Sequence, residues 1–271
     1  MVMMFRIPYQ QTYEKSRLTF RAAWFFSTFA AGKPYTTSSR PTPPGSEGSK
    51  GKMVERCDIM DLPILMLVRV HPENPGERQL KIILECLQNG GVIIYPTDTV
   101  YALGCDIRQV RAIERVARIK GVKMEKANFS LICSSLSHLS DYSRPISNHL
   151  YKIMRKVLPG PYTFILNASN NVPRIFQSKK KTVGIRNPDH KVPLRIVELL
   201  GNPLLTTSVH QADDFLEYPT DPEEIHEKFK QTVDIVIDSG PGGIIPSTVV
   251  DCTGDEPLIL RQGLGDPQLL F

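Results

Sequence analysis

The feature that most limits the possible folds is a short continuous apolar run, Gly91–Pro96, with the sequence GVIIYP. A run of this kind is typical of a β-strand that is buried on both faces. The segment before it carries apolar residues at helical spacing, and Asn89-Gly90 is a helix-ending pair. The apolar residues of this predicted helix are Leu80, Ile83, Leu84 and Leu87.

Helices and strands continue to alternate along the chain. The further predicted strands are Phe129–Cys133, Tyr162–Leu166, Thr182–Arg186, Leu204–Ser208, Val233–Asp238, Ser247–Cys252 and Leu258–Arg261. The further predicted helices are one with Val110, Ile113, Val116, Ala117 and Ile119 inward, then Ser147–Leu158, Pro193–Leu200 and a helix starting at Asp221-Pro222-Glu223-Glu224. This pattern predicts an α/β fold. Because the last three strands lack intervening helices, we expect a mixed sheet and not simple double winding.

The first quarter of the chain has a different composition. Residues 1–46 contain one acidic residue, six basic residues and eleven Ser or Thr residues. This composition is typical of an organellar transit peptide, which predicts an organellar protein, in a plastid in preference to a mitochondrion. Two alternatives stay open: a secretory signal around Ala22–Ala31, or a mis-assigned start in a cytoplasmic protein. Thr37–Lys52 resembles a linker, so residues 1–52 are interpreted as a transit-peptide-like extension and linker.

Several classes of protein are excluded. No apolar run approaches the 18 residues or so of a membrane span, so no membrane partner is expected. The five cysteines form no C-x-x-C pair and the histidines do not cluster, so no metal site is predicted. P-loop, dinucleotide-binding, G-x-S-x-G and H-E-x-x-H motifs do not occur in functional context.

Basic residues are concentrated in two segments of the folded part. Arg108–Lys126 holds seven basic and two acidic residues, and a second group comprises Arg174, Lys179, Lys180, Lys181 and Arg186. Two interpretations stay open. These segments form solvated helix faces, or they line a phosphate-binding concavity, since phosphates need convergent Lys and Arg donors.

A polar string follows the first buried strand. Tyr95–Gly104 reads YPTDTVYALG and packs hydroxyls, a carboxylate and a phenol into a few residues. Strand C-terminal ends are where open α/β sheets bind ligands. The alternative is an Asx-type turn whose hydroxyls are satisfied locally.

The string resembles the P-T-[DE]-T-Y-G-L-G signature of the YrdC-like domain family. Three more strings agree with that family in order: Thr182–Arg186 with T-V-A-V-R, Pro246–Asp251 with P-S-T-V-V-D, and Ile259–Gly263 with I-L-R-x-G. The resemblance covers residues 66–267. It implies a YrdC-like twisted mixed sheet flanked by helices around a basic concave cavity.

The resemblance also implies an activity. It is that of an L-threonylcarbamoyladenylate synthase-like nucleotidyltransferase, in which L-threonine, bicarbonate and ATP give the adenylate and pyrophosphate for t6A modification of tRNA. ATP is a substrate, with magnesium helping to carry its charge, and no permanent cofactor is implied. The reaction needs orientation and charge neutralisation more than a protein nucleophile, so no catalytic residue is assigned.

The family pattern assigns site residues string by string. The residues expected to bind threonine are Thr97, Thr99, Arg186, Thr206 and Ser247. The residues expected to bind the nucleotide are Lys120, Thr182, Ser208 and Arg261. Arg186 is expected to hold the threonine carboxylate.

Some positions depart from the synthase pattern. The arginine of the family's K-x-R falls on Val122, and the S-A-N of the nucleotide loop reads Ser208-Val209-His210. These departures, and the segment Leu139–Val172, resemble the YciO branch. The alternative function is therefore a non-catalytic module that binds a nucleotide, double-stranded RNA or tRNA through phosphate contacts. Val122 is either a lost phosphate contact, which Val122→Arg would restore, or a packing residue.

The composition of the extension predicts that it is not part of the fold. A protein that begins at Met53 should keep the thermal midpoint of the full chain. Calorimetric melting of the two proteins checks this. A drop of more than about 5 °C, or ~1–2 kcal/mol at this size, would mean that the extension packs on the domain.

Overall fold

The structure is a computed structural model that describes residues 65–124, 127–173, 181–209, 218–254 and 256–271. The predicted extension and linker, residues 1–52, lie outside the described residues. Among the described helices, none is long and apolar enough to cross a bilayer.

Ten strands within the described residues form one mixed sheet. They are β1 (Met66–Arg69), β2 (Val92–Tyr95), β3 (Ala102–Asp106), β4 (Ser130–Ile132), β5 (Tyr162–Asn167), β6 (Thr182–Arg186), β7 (Leu204–Ser208), β8 (Ile235–Asp238), β9 (Thr248–Asp251) and β10 (Leu258–Arg261). Their order is β1-β8-β2-β3-β7-β4-β6-β5-β9-β10. The sheet contains both parallel pairs (β1–β8, β2–β8, β4–β6, β5–β9) and antiparallel pairs, so the expectation of a mixed sheet is confirmed.

Helices flank the sheet. They are α1 (Glu77–Gln88), α2 (Val110–Lys120), α3 (Leu136–Ser140), α4 (Asn148–Val157), α5 (Lys191–Leu200) and α6 (Pro222–Phe229), and a 3₁₀ turn spans Pro267–Leu270. The predicted start of α6 is confirmed, because the Asp221 carboxylate accepts from the backbone N–H groups of Glu223 and Glu224. Ser147 caps α4 in the same way.

Two apolar cores lie on opposite faces of the sheet. One joins residues of α2 and α4 to Ile94, Leu131 and Ile185. The other joins α1 and α5 to Ile93 and Ile132. Successive strand residues thus belong to different cores, as the two-residue repeat of a strand requires. β2 is buried along its whole length, which confirms the interpretation of the GVIIYP run.

Two strands and one α-helix among the described elements were not predicted, and one residue was placed wrongly. The strands β1 and β3 and the short helix α3 were missed; β3 begins inside the polar string that was interpreted as a ligand-binding string or an Asx-type turn. Val110 was expected to face inward but is 49% exposed. Val110 is the first residue of α2 and lies outside the buried apolar face of this helix, which begins at Ala112 and Ile113.

One acidic side chain joins three elements at the edge of the domain. Asp234, just before β8, accepts hydrogen bonds from the Val92 backbone N–H at 2.7 Å and from Arg115 Nη1 at 2.6 Å. The Asp234 and Arg115 side chains are only 22% and 26% exposed. Arg115, predicted as part of a basic helix face, therefore holds α2 against the start of β2 and β8.

Asp234→Ala should lower the free energy of unfolding by about 2–3 kcal/mol, because it leaves the buried Val92 N–H and Arg115 Nη1 without this acceptor, while Arg115 Nε keeps the Thr232 carbonyl. Asp234→Asn keeps an acceptor oxygen and should lose less. The matched control is Glu85→Ala, which removes an exposed ion pair with Lys81 and should change the free energy by no more than about 0.5 kcal/mol. Urea unfolding of the four proteins checks the prediction. An Asp234→Ala protein as stable as the control would contradict it.

Candidate active site

Polar residues share one face of the central strands. Thr206 of β7 is paired with Ser130 of β4, and Ser130 with Gly184 of β6. Arg186 lies two residues beyond Gly184 on β6 and is paired with Thr163 of β5. Directly paired residues, and residues two apart, point to the same side of a sheet. These residues therefore form a polar row on the sheet face that α1 and α5 cover, beside the core residues Ile132 and Leu204.

A buried ion pair lies at the centre of this face. Arg186 Nη2 donates to Asp98 Oδ1 at 2.7 Å and to Thr99 Oγ1 at 3.0 Å. Both ion-pair side chains are 8% exposed. The other Asp98 oxygen accepts from the Asp189 backbone N–H at 3.1 Å, which ties the loop after β6 to the loop after β2.

Arg186 has a buried donor that the described residues leave unused. Its Nε is buried and has no hydrogen-bond partner among the residues that the structure describes. An unsatisfied donor of a buried guanidinium costs free energy, so it marks a place for an acceptor from outside the chain. A carboxylate matches this donor because the fork of arginine holds carboxylates through charge-assisted hydrogen bonds.

The loop after β2 is both a local turn and part of the site. Thr97 Oγ1 donates to the Val100 carbonyl at 2.7 Å and accepts from the Thr99 N–H at 3.1 Å, so Thr97 is satisfied locally. The predicted turn with satisfied hydroxyls is thus present at Thr97. Thr99 and Asp98 instead contact Arg186. The turn at Thr97 thus places Asp98 and Thr99 in contact with Arg186.

Each of two further predicted threonine-binding hydroxyls contacts a buried hydroxyl. Thr206 Oγ1 accepts from the Tyr95 phenol at 2.6 Å. Ser247 Oγ lies 2.8 Å from Thr163 Oγ1. Sequence reasoning did not select Tyr95 or Thr163. The period-two position of Thr163 in a strand pattern was the available signal.

The predicted nucleotide residues fall at the two sides of the row. Lys120, the last residue of α2, donates from Nζ to the Ser208 carbonyl at 3.0 Å and to its hydroxyl at 3.3 Å. Arg261 of β10 donates from Nη2 to the Ser247 carbonyl at 2.9 Å. Thr182 is half-buried at the start of β6. It points to the same face of the sheet as Arg186, which ends the strand.

Val122 is a packing residue. Its side chain is partly buried against the core beneath α2 and α4, and its N–H donates to the Ala117 carbonyl. The interpretation of Val122 as a packing residue therefore agrees with the structure. Of the second basic segment, Arg174, Lys179 and Lys180 lie outside the described residues, as does Lys126 of the first.

Comparisons with known proteins identify the family of the chain. Residues 85–263 match a family model described as "Telomere recombination", which groups Sua5, YciO and YrdC proteins. The chain belongs to this family. It is 44% identical to an uncharacterized protein of Haemophilus influenzae over 197 residues, covering 72% of this chain and 94% of the relative. It is 42% identical to Escherichia coli YciO over 199 residues, covering 73% and 95%.

Two solved structures extend the comparison. The crystal structure of Escherichia coli YciO has a TM-score of 0.72 at 39% identity and covers 76% of this chain and 99% of its own. The structure of Pyrococcus abyssi Sua5 complexed with L-threonine has a TM-score of 0.67 at 28% identity and covers 73% of this chain and 57% of its own. A Pyrococcus abyssi threonylcarbamoyl-AMP synthase is 29% identical over 192 residues, covering 70% of this chain and 56% of the relative. The expected fold, a twisted mixed sheet flanked by helices, is confirmed.

The buried ion pair generates a stability prediction. Arg186→Leu should lower the free energy of unfolding by about 3–5 kcal/mol, because the Asp98 carboxylate stays buried without its partner. Adding Asp98→Asn to Arg186→Leu should recover a large part of that loss. Denaturant unfolding of the single and double variants checks this. A double variant no more stable than Arg186→Leu would mean that Asp98 needs no charged partner.

Proposed function

We propose that the chain is an L-threonylcarbamoyladenylate synthase-like nucleotidyltransferase, which converts L-threonine, bicarbonate and ATP into the adenylate and pyrophosphate for t6A modification of tRNA. The observation that carries the proposal is the buried Arg186 guanidinium with an unused Nε donor on a polar sheet face. The relative from Pyrococcus abyssi that was solved with L-threonine supports the choice of amino acid.

The described residues suit the threonine half of the reaction. Arg186 binds the carboxylate, and the Asp98 pair holds the guanidinium in place. Thr99, Thr206 and Ser247 offer hydroxyls to the remaining polar atoms of threonine, and Thr97 shapes the loop that carries Thr99. The threonine amine forms a carbamate with bicarbonate, with loss of water, and a carbamate oxygen attacks the α-phosphorus as pyrophosphate leaves. Fixing threonine in this way aligns that oxygen, and such alignment is a large part of the catalysis that a reaction of this type requires.

The nucleotide half uses the sides of the same row. Lys120 and Arg261 supply positive charge for the phosphates, while Ser208 and Thr182 supply hydroxyls. The described residues bring no three metal-ligating side chains together. Magnesium would therefore come with ATP, held by the phosphates, and would neutralise charge on the leaving pyrophosphate.

A second candidate is a non-catalytic module that binds a nucleotide, double-stranded RNA or tRNA. The observation that favours it is Val122, which packs against the core where the synthase pattern has a phosphate-binding arginine. Loss of one charge-assisted donor costs ~1.5–3 kcal/mol and so lowers turnover by about 10- to 150-fold. Phosphate contacts alone suffice for RNA binding.

Pyrophosphate release distinguishes the two candidates. The synthase proposal expects release that requires L-threonine, bicarbonate and ATP together, with each omission as a control. Release without threonine, or no release at all, would contradict it. Salt-dependent binding of an RNA duplex by a protein without release would support the second candidate.

The contribution of Arg186 is tested by Arg186→Lys, which keeps a positive charge beside Asp98 but removes the guanidinium fork. Threonine affinity should fall by about 1.5–3 kcal/mol, the size of a hydrogen bond to a charged group. Titration calorimetry with L-threonine measures it. The matched control, Arg195→Lys, changes an exposed arginine of α5 that pairs with Glu198 and should bind like the wild type. Equal affinities for the two variants would remove Arg186 from the site.

A further inference from the structure

Tyr95 was not assigned to the site, but it contacts Thr206, one of the predicted threonine-binding residues. Its side chain is fully buried, and its phenol donates to Thr206 Oγ1 at 2.6 Å. Burial raises the pKa of this phenol, and the nearby Arg186 charge and the hydrogen bond to Thr206 lower it only in part. Tyr95 therefore keeps its proton at neutral pH and donates it to Thr206.

A glycine makes this contact possible. Tyr95 ends β2 and Thr206 lies on β7, so the ring must reach across β3, which runs between them. The β3 residue paired with Thr206 is Gly104. A Cβ atom at Gly104 would lie 3.0 Å from Tyr95 Cε1 and would also contact the Leu205 carbonyl oxygen. Only a residue without a side chain leaves room for the phenol to pass.

The hydrogen bond fixes the role of the Thr206 hydroxyl. A threonine hydroxyl has one proton to donate and two lone pairs to accept with. The Tyr95 proton occupies a lone pair, so the Thr206 proton is directed elsewhere. No other partner of this hydroxyl is recorded within the part of the chain that the structure describes, and Thr206 lies in the polar row that leads to Arg186.

We infer that Tyr95 is a positioning residue that holds the Thr206 hydroxyl as a donor toward an acceptor oxygen of the bound amino acid, beside the Arg186 donor. The inference rests on the proposed function, since it takes L-threonine as the ligand. It assigns two convergent donors to one end of the substrate: a charged one that Asp98 orients and a neutral one that Tyr95 orients. A carboxylate is the group that accepts from both.

Four proteins form a cycle that tests the inference: wild type, Tyr95→Phe, Thr206→Val and the double variant. The ligand is L-threonine and the measurement is titration calorimetry of each protein. Tyr95→Phe should weaken binding about 3- to 10-fold, as expected for loss of one oriented hydrogen bond. In the Thr206→Val background the same change should alter affinity by less than about twofold, because the hydroxyl that it orients is absent. Equal losses in the two backgrounds, or no loss in Tyr95→Phe, would overturn the role of Tyr95.

Two controls separate positioning from packing. Tyr162→Phe removes another phenol hydrogen bond, to the Asp266 carbonyl at 3.0 Å, in the core on the other face of the sheet and outside the loop after β2. It should lower the thermal midpoint as Tyr95→Phe does and leave threonine affinity unchanged. Thr206→Ser keeps the hydroxyl and should bind threonine within about twofold of the wild type, so the donor remains testable even if Tyr95→Phe does not fold. A Thr206→Ser protein as weak as Thr206→Val would overturn the inference.

The outcomes also separate this inference from the proposed function. A wild-type protein that binds no L-threonine would overturn the proposed function and, with it, the assignment of Tyr95. A wild-type protein that binds threonine with no coupling between Tyr95 and Thr206 would overturn only the assignment of Tyr95.

Discussion

An arginine side chain that is only 8% exposed requires an acidic partner, and this requirement organises the centre of the molecule. Removing either charge from such a pair leaves the other buried and uncompensated, which is far more costly than losing a surface ion pair. Asp98 meets the requirement from the loop after β2, and its second oxygen binds the backbone of the loop after β6. The two loops that face the site are thus joined through one carboxylate.

The ion pair does not use every hydrogen-bond donor of the Arg186 guanidinium, and the unused donor is the basis of the proposed function. Nη2 makes two hydrogen bonds, whereas Nε makes none to the residues described. A buried unsatisfied donor calls for an explanation, and under the proposed function the bound ligand supplies its acceptor. Neighbouring side chains also contact the surrounding hydroxyls: Tyr95 donates to Thr206, and Thr163 contacts Ser247. Under the proposed function, these contacts form much of the site before the ligand arrives, which reduces the ordering cost of binding.

The sequence was sufficient to predict the alternation of helices and strands, because the spacing of apolar residues depends only on local geometry. The start of α6 followed from Asp221 and Pro222, and the strand Leu204–Ser208 has the predicted bounds. β3 was missed because its first residues belong to the polar string, which hides the strand pattern; it pairs with β2, which is close in sequence, and with β7, which is distant. The family resemblance supplied Arg186 and Thr206, and the structure added their partners. No spacing rule connects Tyr95 to Thr206 or Asp98 to Arg186, since these contacts depend on strand order.

Binding of threonine at Arg186 is the central claim, and a crystal structure of the protein with L-threonine tests it most directly. The account predicts a threonine carboxylate oxygen about 2.7–2.9 Å from Arg186 Nε, the distance of a charge-assisted hydrogen bond, with the Asp98 pair retained. Threonine bound away from Arg186, with Nε still lacking an acceptor, would contradict it.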